Sequence, residues 1–290
     1  MMNEEKYLSL KKGEQGAILS IFAYLCLSII KLAVGYVANS NALKADGLNN
    51  TTDIISSIVV LIGLKLSQKP ADMDHPYGHW KAETVASMVA SFIMMVVGIE
   101  VLIEAFTTVL NGKEESPDPI AAVTGLVSAA AMFLVYRYNL NLAKKIDSQA
   151  VMAAAKDNLS DAMVSVGAAL GIIGAQFHLP WLDPVTAVIV GILICYTAWK
   201  IFRDTSHNLT DGFDVKQISA FKETVQGIIG VKGIKDIKAR SYGNNAVVDV
   251  VILVNSNLNI REAHDVATKV ETALMNKHNV YDVNVHVEPN

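Results

Sequence analysis

Six stretches of the chain are apolar over about 20 residues each, approximately 14–36, 42–66, 84–109, 119–139, 153–176 and 184–202. At about 1.5 Å of rise per residue, each is long enough to cross the hydrocarbon core of a bilayer as a helix. This feature restricts most of the chain to a membrane all-α architecture, a six-helix transmembrane bundle. Composition agrees, with 52% hydrophobic and only 18% charged residues where soluble domains carry about 25% charged. From about residue 212 the pattern stops and the sequence becomes too polar to span. The expected division is therefore a transmembrane domain over 1–211 and a soluble domain over 212–290.

Six spans put both termini on one side, and basic residues choose the side. Lys6, Lys11 and Lys12 precede the first span. Lys65, Lys69 and Lys81 lie between the second and third, and Arg137, Lys144, Lys145 and Lys156 between the fourth and fifth. Arg203 follows the last. The opposite connections are poor in base: 37–41 and 177–183 have none, and 110–118 has only Lys113. Both termini are thus expected in the cytoplasm, with the chain a multi-pass protein of the cell membrane. No cleavable signal peptide is expected, because the run after the polar first residues is too long for one.

Two polar stretches break these apolar runs. Asn49-Asn50-Thr51-Thr52-Asp53 lies in the second and Asp157-Asn158-Leu159-Ser160-Asp161 in the fifth. Each sets two oxygen-bearing side chains four residues apart, on one helix face. Asp46 stands two turns before Asp53 on nearly the same face, a candidate for the ion path. Carboxylates within a span default to an ion or substrate path, polar helix contacts being the plainer alternative. Lys31 is the one charge of the first span, with a buried ionic role or a snorkelling one open to it. Glu100 and Glu104, one turn apart, end the third span. Asp183-Pro184 reads as the start signal of the sixth, with Asp183 a cap and not a ligand.

Asn49, Asp53, Asp157 and Asp161 together offer one amide oxygen and three carboxylates. Such a cluster needs a counter-charge, and a divalent cation or protons can supply it in turn. That is cation/proton exchange without a nucleotide motor, and no Gly-x-x-x-x-Gly-Lys-Ser/Thr loop is present. Oxygen-only ligands suit Mn²⁺, Mg²⁺ and Ca²⁺, whereas imidazole and thiolate suit Zn²⁺. The connection after the second span holds Asp72, His75 and His79, a spacing that fits a divalent ion as well as a solvated loop. The formal net charge of −4 gives no sign of nucleic-acid binding. Cys26 and Cys195 both fall within spans and read as small buried groups, not a disulfide or thiolate site.

The soluble part reads as a helix over 215–229, strands over 234–241 and 246–254, a helix over 260–275 and a strand over 280–287. A hairpin turn is expected at Tyr242-Gly243-Asn244-Asn245. This αββαβ order suits a small α+β domain of ferredoxin-like type, for dimerisation or metal sensing.

Four segments in order, Ala45–Asp53, His75–Glu83, Asp157–Asp161 and Leu182–Pro184, carry a resemblance to the cation diffusion facilitator family over nearly the whole chain. The resemblance implies a homodimeric divalent-metal/proton antiporter, a secondary transporter and not an enzyme, with no resident cofactor and no nucleotide. It implies Asn49, Asp53, Asp157 and Asp161 as the transport site. Their combination is similar to the manganese-exporting branch, where zinc members usually have histidine at one or more of these positions. Asp72, His75 and His79 match the family's loop metal site, and Lys81 and Asp211 its salt link between protomers at the membrane boundary. In the cytoplasmic domain His264, His286 and Glu288 stand at family metal positions, but Lys235 and Val251 replace histidines, which leaves half a ligand set. The expected activity is export of Mn²⁺ in exchange for H⁺, alongside Zn²⁺, Fe²⁺ or Co²⁺ as alternative substrates and a membrane-anchored metal sensor as the rival class.

Overall fold

A computed structural model of the protein describes residues 2–67, 69–111, 116–146, 149–242, 245–278 and 280–290. Lys113 and the centre of the hairpin turn, Gly243-Asn244, lie outside the described residues. Six long helices come first: α1 (Met2–Val37), α2 (Asn41–Ser67), α3 (Ala82–Asn111), α4 (Pro119–Ile146), α5 (Gln149–Gln176) and α6 (Leu182–Leu209). The order then runs α7 (Val215–Gln226), β1 (Gly233–Tyr242), β2 (Asn245–Val254), α8 (Ile260–His278) and β3 (Asp282–Pro289). The helices overrun the apolar stretches: α4 ends at Ile146 and α6 at Leu209, several residues past 139 and 202.

Among the described residues, five helices are long and apolar enough to cross a membrane, namely α1 and α3 to α6. The sequence reading expects a sixth in α2. That helix is long enough, and the side chains at positions 56, 60, 61 and 64 of its apolar run lie outside those described. Helices α1 and α3 to α6 make the chain a multi-pass membrane protein.

Two compact units form, one from residues 1–58 and 90–200, the other from 59–89 and 201–290. The first unit is apolar on the outside: Phe22, Val96 and Leu134 are 64%, 65% and 69% exposed. Outward apolar side chains are what a lipid-covered surface requires. Its interior is built instead from small residues. Ala42, Ala121, Ala122 and Ala168 pack around Leu43 and Ile172, and a methyl group on Gly125 would meet Ala169 Cβ at 3.1 Å. Small side chains let helix backbones approach closely, the main source of cohesion where no water drives association.

The second unit contains a three-stranded sheet in the order β1-β2-β3, with β1 antiparallel to β2 and β2 parallel to β3. Parallel pairing of β2 with β3 requires a crossover, and α8 supplies it. The αββαβ order is as the sequence reading expects. Phe221 and Val225 of α7 and Val266, Val270 and Leu274 of α8 bury against Val248, Val250 and Ile252 of β2. Asp214 caps α7 by accepting from the Lys216 amide at 2.9 Å. Asn259 and Glu262 exchange hydrogen bonds of 2.9 and 3.0 Å in a capping box that starts α8. The register of β1 on β2 slips between Ile234 and Asp236, so Lys235 sits in a bulge.

Candidate metal centre

One turn of α2 separates Asn49 from Asp53, and the structure turns both toward α5. The Asn49 amide donates to Asp161 Oδ1 at 3.2 Å and to Asp53 Oδ2 at 3.4 Å. A half-turn of that amide would aim its carbonyl oxygen at the same point, giving a cation one amide and two carboxylate oxygens from two helices. Asp157, one turn earlier on α5, is exposed and makes no hydrogen bond among the described residues. The structure therefore gathers Asn49, Asp53 and Asp161 and leaves Asp157 at their edge. Asp53, Asp157 and Asp161 do not bring ligand atoms within 4.8 Å of one another.

Sequence reasoning missed Tyr24 of α1. Its hydroxyl donates to Asp161 Oδ2 at 2.5 Å and lies 3.0 Å from Asn158 Oδ1. Behind it, Asn158 and Asn139 both donate to Ser20, at 3.1 and 2.9 Å. The signal was present: Ser20, Tyr24, Ser28 and Lys31 recur at helical spacing in an apolar run, and all four are buried.

Lys31 and Asp46 form a fully buried ion pair at 2.9 Å. The ammonium also donates to Asn50 Oδ1 at 2.6 Å and to Ser165 Oγ at 2.8 Å, and Ser165 donates to Asp46 Oδ1 at 3.2 Å. Asp46 is thus held by a fixed cation from α1, which gives Lys31 the buried role and the partner that sequence could not name. Glu104 accepts from Lys44 at 3.1 Å, while Glu100 is exposed.

Asp72, His75 and His79 do converge. Their ligand atoms all lie within 4.8 Å of one another, the only such group of His, Cys, Asp and Glu among the described residues. His75 Nδ1 is 3.1 Å from Asp72 Oδ1 and His79 Nε2 is 3.5 Å from Oδ2. The backbone N–H of His75, at 2.7 Å, holds the Asp72 carboxyl below the usual carboxylate range. Asp72 thus stays ionised, and able to bind a cation, at pH values where an ordinary Asp has begun to protonate.

The C-terminal trio does not converge. His264 and His286 are exposed, and no ligand group forms from them and Glu288 among the described residues. Glu288 is occupied instead by Lys235, whose ammonium reaches its two carboxylate oxygens at 2.6 and 2.9 Å. His286 Nε2 stays 3.9 Å from the same carboxylate. Lys81 meets Asp211 at 2.9 Å within the chain. Asp211, just past α6, lies in the left-handed region at φ 60°. Cys26 and Cys195 are free thiols.

A helical membrane bundle with acidic side chains turned inward from α2 and α5 is the architecture of a multi-pass transporter of cations. The cation efflux transmembrane domain matches residues 17–210, and the cation efflux protein cytoplasmic domain matches residues 214–290. The chain belongs to the cation efflux family, the cation diffusion facilitators, and is a divalent-cation/proton antiporter and not an enzyme. It is 58% identical over 285 residues to the manganese efflux system protein MneS of Bacillus subtilis (strain 168), covering 98% of both chains. The uncharacterised transporter YdbO of that organism is 54% identical over 285 residues, with 98% of each chain covered. The manganese efflux system protein MneP, also from B. subtilis, is 30% identical over 298 residues, covering 100% of this chain and 99% of its own.

Proposed function

We propose that the protein exports Mn²⁺ from the cytoplasm in exchange for protons, with Asn49, Asp53, Asp157 and Asp161 as the transport site. The observation that carries this reading is the convergence of Asn49, Asp53 and Asp161 from two helices in an oxygen-only environment. Oxygen donors suit Mn²⁺ and give no preference to Zn²⁺, and the 58% identity to a manganese efflux protein points the same way. In the cycle, Mn²⁺ enters from the cytoplasm, and its charge offsets that of the carboxylates. Rearrangement of the bundle exposes the site outside, where protons take the ion's place and reset the carrier. Asp157, exposed at the edge of the cluster, closes on the ion as it binds.

In this reading α2 is the sixth span, residues 1–211 form the transport domain and 212–290 the cytoplasmic one. The two acidic residues of α2 are accommodated inside: Asp46 is paired with Lys31, and Asp53 belongs to the site. An even number of spans and the basic connections put both termini in the cytoplasm of a cell-membrane protein. The working form is a homodimer. Asp72, His75 and His79 form a second, loop metal site.

Transport into proteoliposomes under an imposed pH gradient tests the reading. Mn²⁺ uptake is expected to dissipate the gradient, and Asp53→Ala to abolish both. Zn²⁺, Fe²⁺ and Co²⁺ serve as comparison ions, and Zn²⁺ uptake with Mn²⁺ ignored would overturn the choice of metal. If no ion moves protons, the assignment of the site as a transport site fails.

A further inference from the structure

The two oxygens of Asp161 have different neighbours. Oδ1 faces the Asn49 amide at 3.2 Å, beside Asp53, whereas Oδ2 is 2.5 Å from the Tyr24 hydroxyl. A phenol has one proton, and a carboxylate is a stronger acceptor than an amide carbonyl, so Asp161 takes it. The other close contact, Asn158 Oδ1 at 3.0 Å, is then oxygen against oxygen. A half-turn of the Asn158 amide makes it an N–H donor to the phenol and turns its carbonyl to the Ser20 hydroxyl, which exchanges its 3.2 Å bond to the Gly16 carbonyl for one to Asn158. The tyrosine proton is then committed to Asp161. The ring cannot withdraw easily, because it is buried against Leu27, Met132 and Ala162.

We propose that Tyr24 is a specificity-determining residue of the transport site, one that holds Asp161 as a one-oxygen ligand and so disfavours large divalent cations. This rests on the reading of Asn49, Asp53, Asp157 and Asp161 as ion ligands. Ca²⁺ takes about 6–8 oxygens at roughly 2.3–2.6 Å, and reaches that number by engaging carboxylates through both oxygens. Mn²⁺ is satisfied by an octahedral set, to which each carboxylate can give one oxygen. With Oδ2 engaged by Tyr24, the second oxygen of Asp161 is withheld from the ion. Removing the hydroxyl releases it, and the site becomes more accommodating to the larger ion.

The test is Mn²⁺ binding to the purified full chain, read from the loss of the free-ion paramagnetic resonance signal and competed with Ca²⁺. An Asp72→Ala background takes the loop cluster out of the titration. Tyr24→Phe keeps the ring and removes only the hydroxyl. It is expected to lower the Ca²⁺ concentration that displaces half of the Mn²⁺ by about tenfold or more relative to the parent, the scale of one hydrogen bond to a charged group. Asn158→Leu, which removes the second partner of the hydroxyl, is expected to shift the ratio in the same direction by less, and it supplies the measurement if the phenylalanine variant does not fold. An unchanged Ca²⁺/Mn²⁺ ratio overturns the proposal. So does Mn²⁺ binding that survives Asp53→Ala, because the ion is then held elsewhere. A shifted ratio in a protein that moves no protons would leave this inference standing while the antiport reading falls.

Discussion

Lys31 donates to Asn50 and Ser165 at 2.6 and 2.8 Å and pairs with the Asp46 carboxylate across 2.9 Å, with no solvent exposure. A buried ion pair contributes less than its Coulomb energy suggests, because both charges have been desolvated, but losing one partner strands the other. Lys31→Met is therefore expected to destabilise the folded protein by about 3–5 kcal/mol, while replacing the pair together by Lys31→Met and Asp46→Leu restores most of that. Thermal unfolding in detergent distinguishes the two; equal losses in the single and double variants would mean the pair carries no such coupling. The pairing also marks what sequence can convey at this scale. Asn49 with Asp53, and Asp157 with Asp161, are readable because four residues make one helical turn. The meeting of Tyr24 with Asp161, or Lys31 with Asp46, joins different helices, and the sequence does not say which turns face each other. The buried stripe of Ser20, Tyr24, Ser28 and Lys31 says only that α1 turns a polar face inward.

Asp183 shows the same limit between elements. Asp-Pro reads correctly as a helix start, and α6 does begin at Leu182. The carboxylate, however, serves another helix: it accepts from the Ser40 hydroxyl at 2.6 Å, and from the backbone of Asn41 at 2.8 Å and Ala42 at 3.4 Å. Ser40 in turn caps α2 by accepting from the Leu43 amide at 3.1 Å. A negative charge at the positive end of α2 is favourable on two counts, as an acceptor for orphan N–H groups and through the helix dipole. Because α2 carries Asn49 and Asp53, its anchoring sets where the candidate site stands. Asp183→Ala should cost about 1–2 kcal/mol of stability, and Asp183→Asn, which keeps an acceptor but not the charge, noticeably less. Scanning calorimetry of the three proteins measures this; indistinguishable transitions would show that the cap is dispensable. Apart from the start of α1 and the ends of α4 and α6, which run on into polar sequence, the element boundaries are legible to within a few residues, because apolar runs and β-branched strands leave local marks. The bulge at Lys235 leaves none, since it arises from the register between two strands.

That bulge bears on the whole molecule. A bulged residue is re-aimed relative to the ladder, and Lys235 reaches from β1 to the Glu288 carboxylate of β3, with β2 between them in the sheet. Its ammonium engages Glu288, which the sequence reading groups with His264 and His286 as a metal set, and among the described residues those three gather no ligand cluster. The domain's own core, from Phe221 through Val283, draws on both helices and all three strands, which is the requirement for folding apart from the membrane bundle. Residues 212–290 expressed alone are therefore expected to unfold cooperatively in a single transition, seen by circular dichroism, and to bind Zn²⁺ weakly. Lys235→His removes the competing cation, releases Glu288 and adds an imidazole beside it, so Zn²⁺ affinity by titration calorimetry should rise by about tenfold or more, the gain of roughly one further ligand. If affinity does not change, Lys235 is not what keeps the metal out, and the exposed, separated positions of His264 and His286 become the sufficient reason. If it rises, the Lys235 charge is what keeps Glu288 from a divalent ion, in a fold that otherwise has the means to bind one.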